Sequence, residues 1–285
     1  MNIALTGSSG LIGSKLVDDL KKAGHEVLCI SSSHSAHHKN IFLLNEIISE
    51  NNFAKVDCFL HLASINSNLN NSQISEEVSL THNAIKLMKV LKCKKLIFLS
   101  TSKVYGENSF KYEEYSELSP IKPQSPYAIA KVNCEQAIIR MSAEEDFNYF
   151  ILRIPPMLLN NVKSNLGHLI KVVKSGFPIP SFKYGDQNER SFLSYELFLS
   201  AIEKIIGGQS KINKGIFNLA DPKPISTNDL LRKISKDNGR KAKIIYLPNF
   251  IFQLMIKLNR LQLSMHRMYG NFNISSKSFT DVFFK

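Results

Sequence analysis

The sequence has no tryptophan and only four cysteines in 285 residues, and none of the cysteines forms a CxxC pair. This spacing argues against a zinc site and against a disulfide framework, so we expect no metal. Cys29, Cys58, Cys93 and Cys134 are instead expected to be reduced thiols. Reduced thiols are typical of the cytosol, and the cytoplasm is therefore the expected compartment.

Long apolar runs are also missing. No uninterrupted stretch approaches the roughly 18–20 residues that a membrane-spanning helix needs. The first residues show no basic segment ahead of an apolar one, which argues against a signal peptide. With 44% hydrophobic and 21% charged residues, the composition predicts a globular protein of one large domain or two closely joined ones.

Acidic residues are scarce in the second half of the chain. Residues 1–150 carry 15 basic and 16 acidic side chains, whereas residues 151–285 carry 21 basic and 8 acidic ones. This excess favours an anionic partner such as a phosphorylated substrate, a nucleic acid or an acidic membrane surface. A general lysine bias, 29 lysines against 7 arginines, explains it equally well. No nucleic-acid-binding motif accompanies the charge, so we expect no nucleic-acid partner.

Glycines punctuate the first secondary-structure elements. A short β-type run over residues 2–6 leads into Gly7, Gly10 and Gly13, and a helical pattern begins at Leu11. A second β-type run follows at residues 26–30. The glycines allow a tight turn and the close approach of a pyrophosphate to the helix N-terminus. In this context the spacing predicts a dinucleotide-binding turn.

The alternation of strands and helices continues along the chain. It predicts an α/β fold with a parallel sheet that is covered on both faces. The predicted strands cover residues 56–62, 95–100, 150–154 and 215–220, and the predicted helices cover residues 81–91, 127–141, a segment from about Asp229 with Thr227 as its N-cap, and 247–268.

The end of the second predicted strand bears on the cofactor. An acidic residue at this position binds the ribose 2′-hydroxyl of NAD, whereas this chain has Ser31 and Ser32 there. Small hydroxyls can hydrogen-bond a 2′-phosphate, which an acidic residue would repel. NADP is therefore slightly favoured, and NAD remains open.

A tyrosine and a lysine occur four residues apart within a predicted helix. This spacing places Tyr127 and Lys131 on the same helix face. A free phenol has a pKa near ~10, and a nearby ammonium group favours the phenolate. The pair is therefore a candidate for proton exchange with a sugar or alcohol oxygen during hydride transfer.

Several motifs in the same order resemble the extended short-chain dehydrogenase/reductase family, the NAD-dependent epimerase/dehydratase group. They are GSSGLIG, HLA, STSKVYG, YAIAK and a later RSF segment, within roughly residues 2–230. The resemblance implies a Rossmann doubly wound parallel sheet with a smaller C-terminal substrate-binding lid. It assigns residues 1–154 to the NAD(P)-binding domain, with a strand near 215–220 returning to it, and residues 155–285 mostly to the cap.

The resemblance also implies roles for individual residues. Thr101 matches the residue that hydrogen-bonds the reacting oxygen, and Tyr127 matches the general acid/base. Lys131 matches the residue that binds the nicotinamide ribose and lowers the pKa of the tyrosine. The implied cofactor-binding residues are Gly7, Ser9, Gly10, Leu11, Ile12, Gly13, Ser31, Ser32, Leu62, Ala63, Tyr127 and Lys131. The implied substrate-binding residues are Thr101, Asn165, Leu166 and Arg190, the last three for a nucleotide diphosphate.

Departures from the family pattern narrow the reaction. Ser102 and Lys103 stand where the sugar dehydratases have an Asp-Glu pair, so dehydration is not expected. The motifs favour a reductase acting at C4 of a UDP-4-keto-6-deoxy-N-acetylhexosamine in polysaccharide biosynthesis. A UDP-hexose 4-epimerase with retained NAD is the alternative, and a non-catalytic NAD(P)-binding sensor or scaffold is a third.

A membrane surface and a second copy of the chain are two further possible partners. The basic, amphipathic segment 247–268 could lie on an acidic membrane surface, but packing on the lid or a partner chain is the preferred interpretation. A homodimer formed through the helices near 81–91 and 127–141 is expected from the resemblance alone.

Overall fold

The computed structural model describes residues 1–31, 41–43, 55–66, 68–111, 113–159, 171–173, 175–208, 212–239, 241 and 243–284. Its strands are β1 Asn2–Thr6, β2 Glu26–Ser31, β3 Ile41–Leu43, β4 Cys58–His61, β5 Lys95–Thr101, β6 Glu114–Tyr115, β7 Asn148–Ile154, β8 Ile179–Ser181, β9 Lys214–Asn218, β10 Ile244–Tyr246 and β11 Asn273–Ile274. Its helices are α1 Leu11–Lys22, α2 Ile74–Val90, α3 Pro126–Glu144, α4 Tyr195–Ile206, α5 Thr227–Asp237, α6 Asn249–Lys257, α7 Asn259–Tyr269 and α8 Lys277–Phe283.

Seven strands form one sheet in the order β3-β2-β1-β4-β5-β7-β9. Every neighbouring pair in this sheet is parallel. The chain starts in the middle at β1, moves outward to β3, and then returns to fill the other side from β4 onward. This order confirms the predicted Rossmann doubly wound sheet.

The sheet is covered on both faces, as its apolar strands require. On β1, Ile3 and Leu5 point into a cluster with α1, α4 and α8, whereas Ala4 points into a cluster with α2 and α3. All three side chains are fully buried. The alternation follows from the period of two in a strand, and burial on both sides explains the nearly continuous apolar runs.

Two predicted helix starts were wrong. The helix predicted at 81–91 begins seven residues earlier, at Ile74. The prediction missed these first turns because polar and acidic residues interrupt their apolar spacing. The helix predicted from Asp229 begins at Thr227, and its N-cap is Ser226 rather than Thr227. The Ser226 Oγ accepts a hydrogen bond from the Asp229 N–H at 3.1 Å.

The sheet layer includes elements from the second half of the chain. β9 pairs with β7, and the buried residues Phe198, Phe217 and Phe279 place α4, β9 and α8 in the same core cluster as β1. The division at residue 154 remains a prediction as a domain boundary. The packing shows that β9 is a strand of the sheet and that α4 and α8 pack against it.

A smaller unit is built from the rest of the second half together with β6 of the first half. It contains two parallel two-stranded pairs, β8 with β10 and β6 with β11. One apolar cluster joins α5 to β8, and another joins Phe182, Phe252, Met265 and Tyr269.

The segment predicted as one helix over 247–268 is two helices. Leu258 lies between α6 and α7 with φ −83° and ψ 110°, an extended conformation that ends the first helix. The predicted apolar stripe is only partly buried. Met265 is buried, whereas Leu254 and Leu261 are exposed. Within the described part of the chain, no helix is long and apolar enough to cross a membrane.

Candidate active site

The candidate site lies at the carboxyl edge of the parallel sheet. β1, β4 and β5 are neighbours in the sheet and end at Thr6, His61 and Thr101. Since parallel strands end at the same edge, the segments that follow them meet there, and helices that follow these strands begin there. The topology therefore brings the glycine turn, the segment after β4 and the N-terminal turns of α2 and α3 together.

The glycine turn is held by contacts that leave no room for side chains. Gly7 has φ +81°, and a Cβ there would lie 2.7 Å from the Ala63 backbone nitrogen. A Cβ at Gly13 would lie 2.1 Å from the Gly7 carbonyl oxygen. Both positions therefore require glycine, and they fix the turn against the segment after β4.

The N-terminus of α1 opens into a cleft. The cleft has a volume of about 340 Å³ and is lined by glycines of the turn together with Leu11, Ile12, Leu62, Leu99, Pro156, Met157 and Leu159. The N-cap is Gly10, which offers no side-chain cap, and the first turn contains no acidic residue. No described carbonyl accepts from the Leu11 or Ile12 N–H.

These features fit the diphosphate of a dinucleotide. Free amides and the positive end of the helix dipole attract an anion. A side chain at Gly10 would meet only the Gly7 carbonyl oxygen, at 3.2 Å, and otherwise occupy open space. Ser9 lies in the same turn, and Leu62 and Ala63 follow β4 directly, beside Gly7.

Other predicted binding residues differ in how far they are described. Ser31 is the last residue of β2, the expected place for ribose recognition. Ser32, Asn165 and Leu166 lie outside the described residues. Thr101 is the last residue of β5 and is 8% exposed. Its Oγ1 accepts a hydrogen bond from the Lys103 N–H at 3.3 Å and caps the 3₁₀ turn that follows.

Tyr127 and Lys131 lie near the start of α3. Ser125 caps this helix by accepting from the Ala128 N–H, and Pro126 occupies its first turn. The two side chains lie on one helix face as predicted, with the Lys131 Nζ 5.8 Å from the centre of the Tyr127 ring. The described residues offer no hydrogen-bond partner to the Tyr127 hydroxyl.

The electrostatics of this pair differ from the simple expectation. Burial raises the pKa of Tyr127, although the Lys131 ammonium acts in the opposite direction. Burial would lower the pKa of Lys131, but the nearby Tyr127 and the carboxylate of Glu77 outweigh it and raise the pKa. Lys131 therefore stays charged, and its ammonium group alone does not ionise the Tyr127 phenol.

Glu77 is a site residue that the sequence prediction missed. Its Oε1 lies 3.1 Å from the Lys131 Nζ, and both side chains are buried. The buried positions of α2 include Glu77, Thr81, Ala84 and Met88, at helical spacing. Extending the predicted helix N-terminally along this spacing would have placed Glu77 on the buried face.

His61 lies close to Lys131 and is neutral. Its Nδ1 is 2.7 Å from the Thr6 Oγ1, and its Nε2 is 3.3 Å from the Thr81 Oγ1. Burial, together with the Lys131 cation, lowers its pKa to about 3. At neutral pH it therefore contributes hydrogen bonds to the site but no charge.

Arg190 lies in the second half of the chain, between β8 and α4. Its backbone pairs with Ile225, and its guanidinium lies 5.2 Å from the centre of the Phe192 ring. Burial lowers its pKa to about 10, and it has no ion-pair partner among the described residues. A partly buried guanidinium of this kind suits a phosphate ligand.

A second ion pair lies behind the site on the same helix. The Arg153 guanidinium of β7 donates to both carboxylate oxygens of Glu135, at 2.6 to 3.2 Å, and to the Tyr105 hydroxyl at 3.0 Å. Ser100 also donates to Glu135. This network joins α3 to two central strands.

Known proteins that are similar to this chain in sequence or structure include UDP-sugar 4-epimerases. UDP-glucose 4-epimerase of Vibrio cholerae is 22% identical over 271 residues, covering 90% of this chain and 82% of that protein. The structure of UDP-N-acetylglucosamine 4-epimerase from Bacillus cereus has a TM-score of 0.77 at 16% identity and covers 99% of this chain and 91% of that one. The Bacillus cereus UDP-glucuronic acid 4-epimerase in complex with NAD has a TM-score of 0.73 at 19% identity, with 99% and 90% covered.

The family profile matches a long part of the chain. The NAD dependent epimerase/dehydratase family is matched over residues 3–220, from β1 to just beyond β9. The matched region contains the glycine turn and the strand ends and helix starts that form the candidate site. This chain belongs to the NAD dependent epimerase/dehydratase family of enzymes.

Proposed function

We propose that this chain transfers hydride between NAD(P) and C4 of a UDP-sugar. One observation carries the proposal: Thr101, Tyr127 and Lys131 occur at one edge of the sheet that also holds an uncapped glycine turn. A hydroxyl, a phenol and an ammonium group are the groups that hydride transfer at a sugar alcohol requires. The relatives named above act on UDP-sugars, which supports the substrate class.

The residues divide the chemistry among them. The Thr101 hydroxyl would hydrogen-bond the reacting sugar oxygen and orient it. Tyr127 would give a proton to that oxygen in reduction or take one in oxidation. Lys131 has one described carboxylate partner, so two of its three N–H donors remain for a ribose or the phenol oxygen.

The cofactor would lie along the cleft between the glycine turn and the segment after β4. The amides of Leu11 and Ile12 would bind its diphosphate, and Leu62 and Ala63 would lie against it. The nicotinamide, when bound, accepts or donates the hydride. Ser31 would contact the adenosine ribose, where a hydroxyl accepts a 2′-phosphate more readily than a carboxylate does.

Arg190 would bind the substrate diphosphate. Its guanidinium is partly buried without an acidic partner among the described residues, and a phosphate would supply the missing charge. Asn165 and Leu166 are proposed for the same diphosphate on the basis of the sequence motif. A nucleotide diphosphate would therefore supply Arg190 with the anionic partner that the described residues do not provide.

The finer proposal is a 4-ketoreductase. Ser31 at the end of β2 favours it, since a reductase must exchange reduced cofactor, often NADPH. A 4-epimerase that retains NAD is the second candidate, and the functions of the relatives favour it. Both use the same three residues and differ in whether the cofactor leaves after one turnover.

Product and cofactor analysis would distinguish the two. For the ketoreductase we expect purified protein with little bound cofactor, which oxidises NADPH in the presence of a UDP-4-keto-6-deoxy-N-acetylhexosamine. For the epimerase we expect stoichiometric bound NAD and interconversion of UDP-glucose and UDP-galactose without net oxidation. If neither mixture changes under conditions in which the protein is folded and binds NAD(P), the proposal is wrong.

A homodimer remains part of the proposal. α2 and α3 pack side by side on one face of the sheet. These are the two helices through which we expect two copies of the chain to pair. Light scattering coupled to size-exclusion chromatography would measure a mass of twice 32.2 kDa if they pair between two copies.

A further inference from the structure

The Glu77 carboxylate is fixed between two parts of the candidate site. One oxygen, Oε1, lies 3.1 Å from the Lys131 Nζ of α3. The other, Oε2, accepts a hydrogen bond from the Ile65 N–H at 2.8 Å, in the segment that follows β4. The side chain is 2% exposed, so water does not screen these contacts. Glu77 therefore holds a defined position next to Lys131.

The Lys131 ammonium group is close to both the Glu77 carboxylate and the Tyr127 ring. Its Nζ is 4.8 Å from the centre of the Phe98 ring and 5.8 Å from that of Tyr127. A lone ammonium group at this place would stabilise a phenolate, whereas an ammonium already neutralised by a carboxylate does so less. The charge of Glu77 accordingly raises the pKa of Tyr127, and so does burial, the larger effect.

The other titratable groups around Tyr127 carry no charge at neutral pH. His61 of β4 is neutral, because burial and Lys131 lower its pKa to about 3. Cys134, about two turns along α3 from Tyr127, donates to the Glu77 backbone carbonyl at 3.7 Å, and burial raises the pKa of its thiol. Among the described groups that act on Tyr127, the charged ones are thus Lys131 and Glu77.

We propose that Glu77 is a positioning residue that holds Lys131 in place and offsets the charge with which its ammonium group would otherwise favour a Tyr127 phenolate. The inference rests on the proposed function, because it concerns the same site. A protonated phenol is ready to donate to a sugar oxygen, which is the step that ketone reduction needs. Glu77 therefore favours the form of the phenol that reduction uses, and oxidation of an alcohol would first require loss of the phenolic proton.

The test is a titration of Tyr127 without substrate or cofactor. Protein labelled with ¹³C at tyrosine Cζ reports the ionisation of each phenol, and Y127F identifies the signal of Tyr127. For the wild type we expect a midpoint above the ordinary value near ~10. For E77Q we expect the midpoint to fall by about one unit or more, the shift that an uncompensated ammonium group produces nearby. An unchanged midpoint in folded E77Q would overturn the inference.

Two further variants keep the test independent of folding. E77Q leaves the buried Lys131 without a counter-ion, so the double variant E77Q/K131M provides a neutral site that is expected to fold. Its midpoint should return to the wild-type value or above. A midpoint in E77Q/K131M that fell well below wild type would also contradict the inference. The matched control is E76Q, which alters the exposed neighbour on α2 and should leave the midpoint unchanged.

The titration and the activity fail separately. A moved midpoint together with an inactive wild type would support the role of Glu77 and contradict the proposed function. An active wild type whose midpoint does not move in E77Q would support the proposed function and contradict the role of Glu77. In an active enzyme, the limb of the kcat–pH profile that reports Tyr127 should shift to lower pH in E77Q but not in E76Q.

Discussion

Helix α3 carries two buried ion pairs one turn apart, and they differ in how many hydrogen bonds hold them. Glu135 receives three donor contacts from Arg153 and one from Ser100, and Arg153 also donates to Tyr105. Lys131 has a single described acceptor, Glu77. The exposed fractions are alike, at 5% or less for all four side chains.

The difference lies in the number of contacts that hold each pair. A buried ion pair is stable only when its remaining polar atoms are satisfied, and in the Arg153–Glu135 pair every guanidinium nitrogen and both carboxylate oxygens have a described partner. The Lys131–Glu77 pair is joined by one contact at the edge of the sheet where ligands bind, and the Lys131 Nζ lies 5.8 Å from the centre of the Tyr127 ring. Burial by itself therefore does not identify a catalytic group, and the proposed role of Lys131 rests on its place at this edge beside Tyr127.

The largest effect is expected from Tyr127→Phe. Removing the phenolic oxygen should lower kcat by about 10²–10⁴-fold, the contribution typical of a positioned general acid or base. The ring and its packing remain, so stability should hardly change. Steady-state turnover on the active UDP-sugar measures the effect. Tyr149→Phe, at the start of β7 and far from this edge, is the matched control. Unaltered turnover in Y127F would contradict the role of Tyr127 as the general acid or base.

Arg153→Met should affect stability rather than chemistry. It leaves Glu135 buried without its counter-ion, and loss of one partner of such a pair costs about 3–5 kcal/mol of unfolding free energy. Urea denaturation measures this change. The double variant Arg153→Met/Glu135→Leu should recover most of the loss, since no unpaired charge remains. If R153M alone stayed within about 1 kcal/mol of wild type, the comparison of the two pairs would be wrong.

Arg190→Gln should weaken substrate binding with no change in cofactor binding. Loss of a charge-assisted hydrogen bond of about 1.5–3 kcal/mol corresponds to a roughly ten- to hundredfold higher Kd for the UDP-sugar. Isothermal titration calorimetry with UDP alone and with NAD(P) separates the two sites. Arg140→Gln, on the exposed side of α3, is the control. An equal loss of NAD(P) affinity would contradict the assignment of Arg190 to the substrate.

His61 should make the protein less stable in acid. Its folded pKa of about 3 is below the ordinary 6.5, so between these values the unfolded state binds the extra proton and stability falls as pH falls. From pH 7 to pH 5 this amounts to about 2 kcal/mol. The measurement is the difference in unfolding free energy between wild type and His61→Gln at both pH values. A constant difference would show that His61 does not titrate in this way.

Local sequence patterns predicted the parts of the site that depend on local geometry. The glycine spacing placed the turn correctly, because Gly7 and Gly13 have no room for a Cβ. The four-residue spacing placed Tyr127 and Lys131 on one face of α3. The apolar stripe over 247–268 was misleading, since the extended backbone at Leu258 breaks the helix and much of the stripe is exposed.

The missed residues are those whose role depends on a partner distant in sequence. Glu77 and Lys131 are 54 positions apart and meet because α2 and α3 pack side by side. The helical spacing of α2 can place Glu77 on the buried face, but it does not identify Lys131 of α3 as the residue that Glu77 meets there.

The sequence by itself determined the parallel sheet with helices on both faces, the glycine turn and the placement of Tyr127 and Lys131 on one helix face. These follow from hydrophobic period, turn chemistry and helix spacing, which act over a few residues. The role predicted for Thr101 came from the family resemblance. Only the tertiary structure decided which charges face one another: Glu77 with Lys131, Glu135 with Arg153, and Arg190 without an acidic partner among the described residues. Because the energy of a buried charge depends on its distance to other charges and on burial, these relations arise only when the helices pack on the sheet.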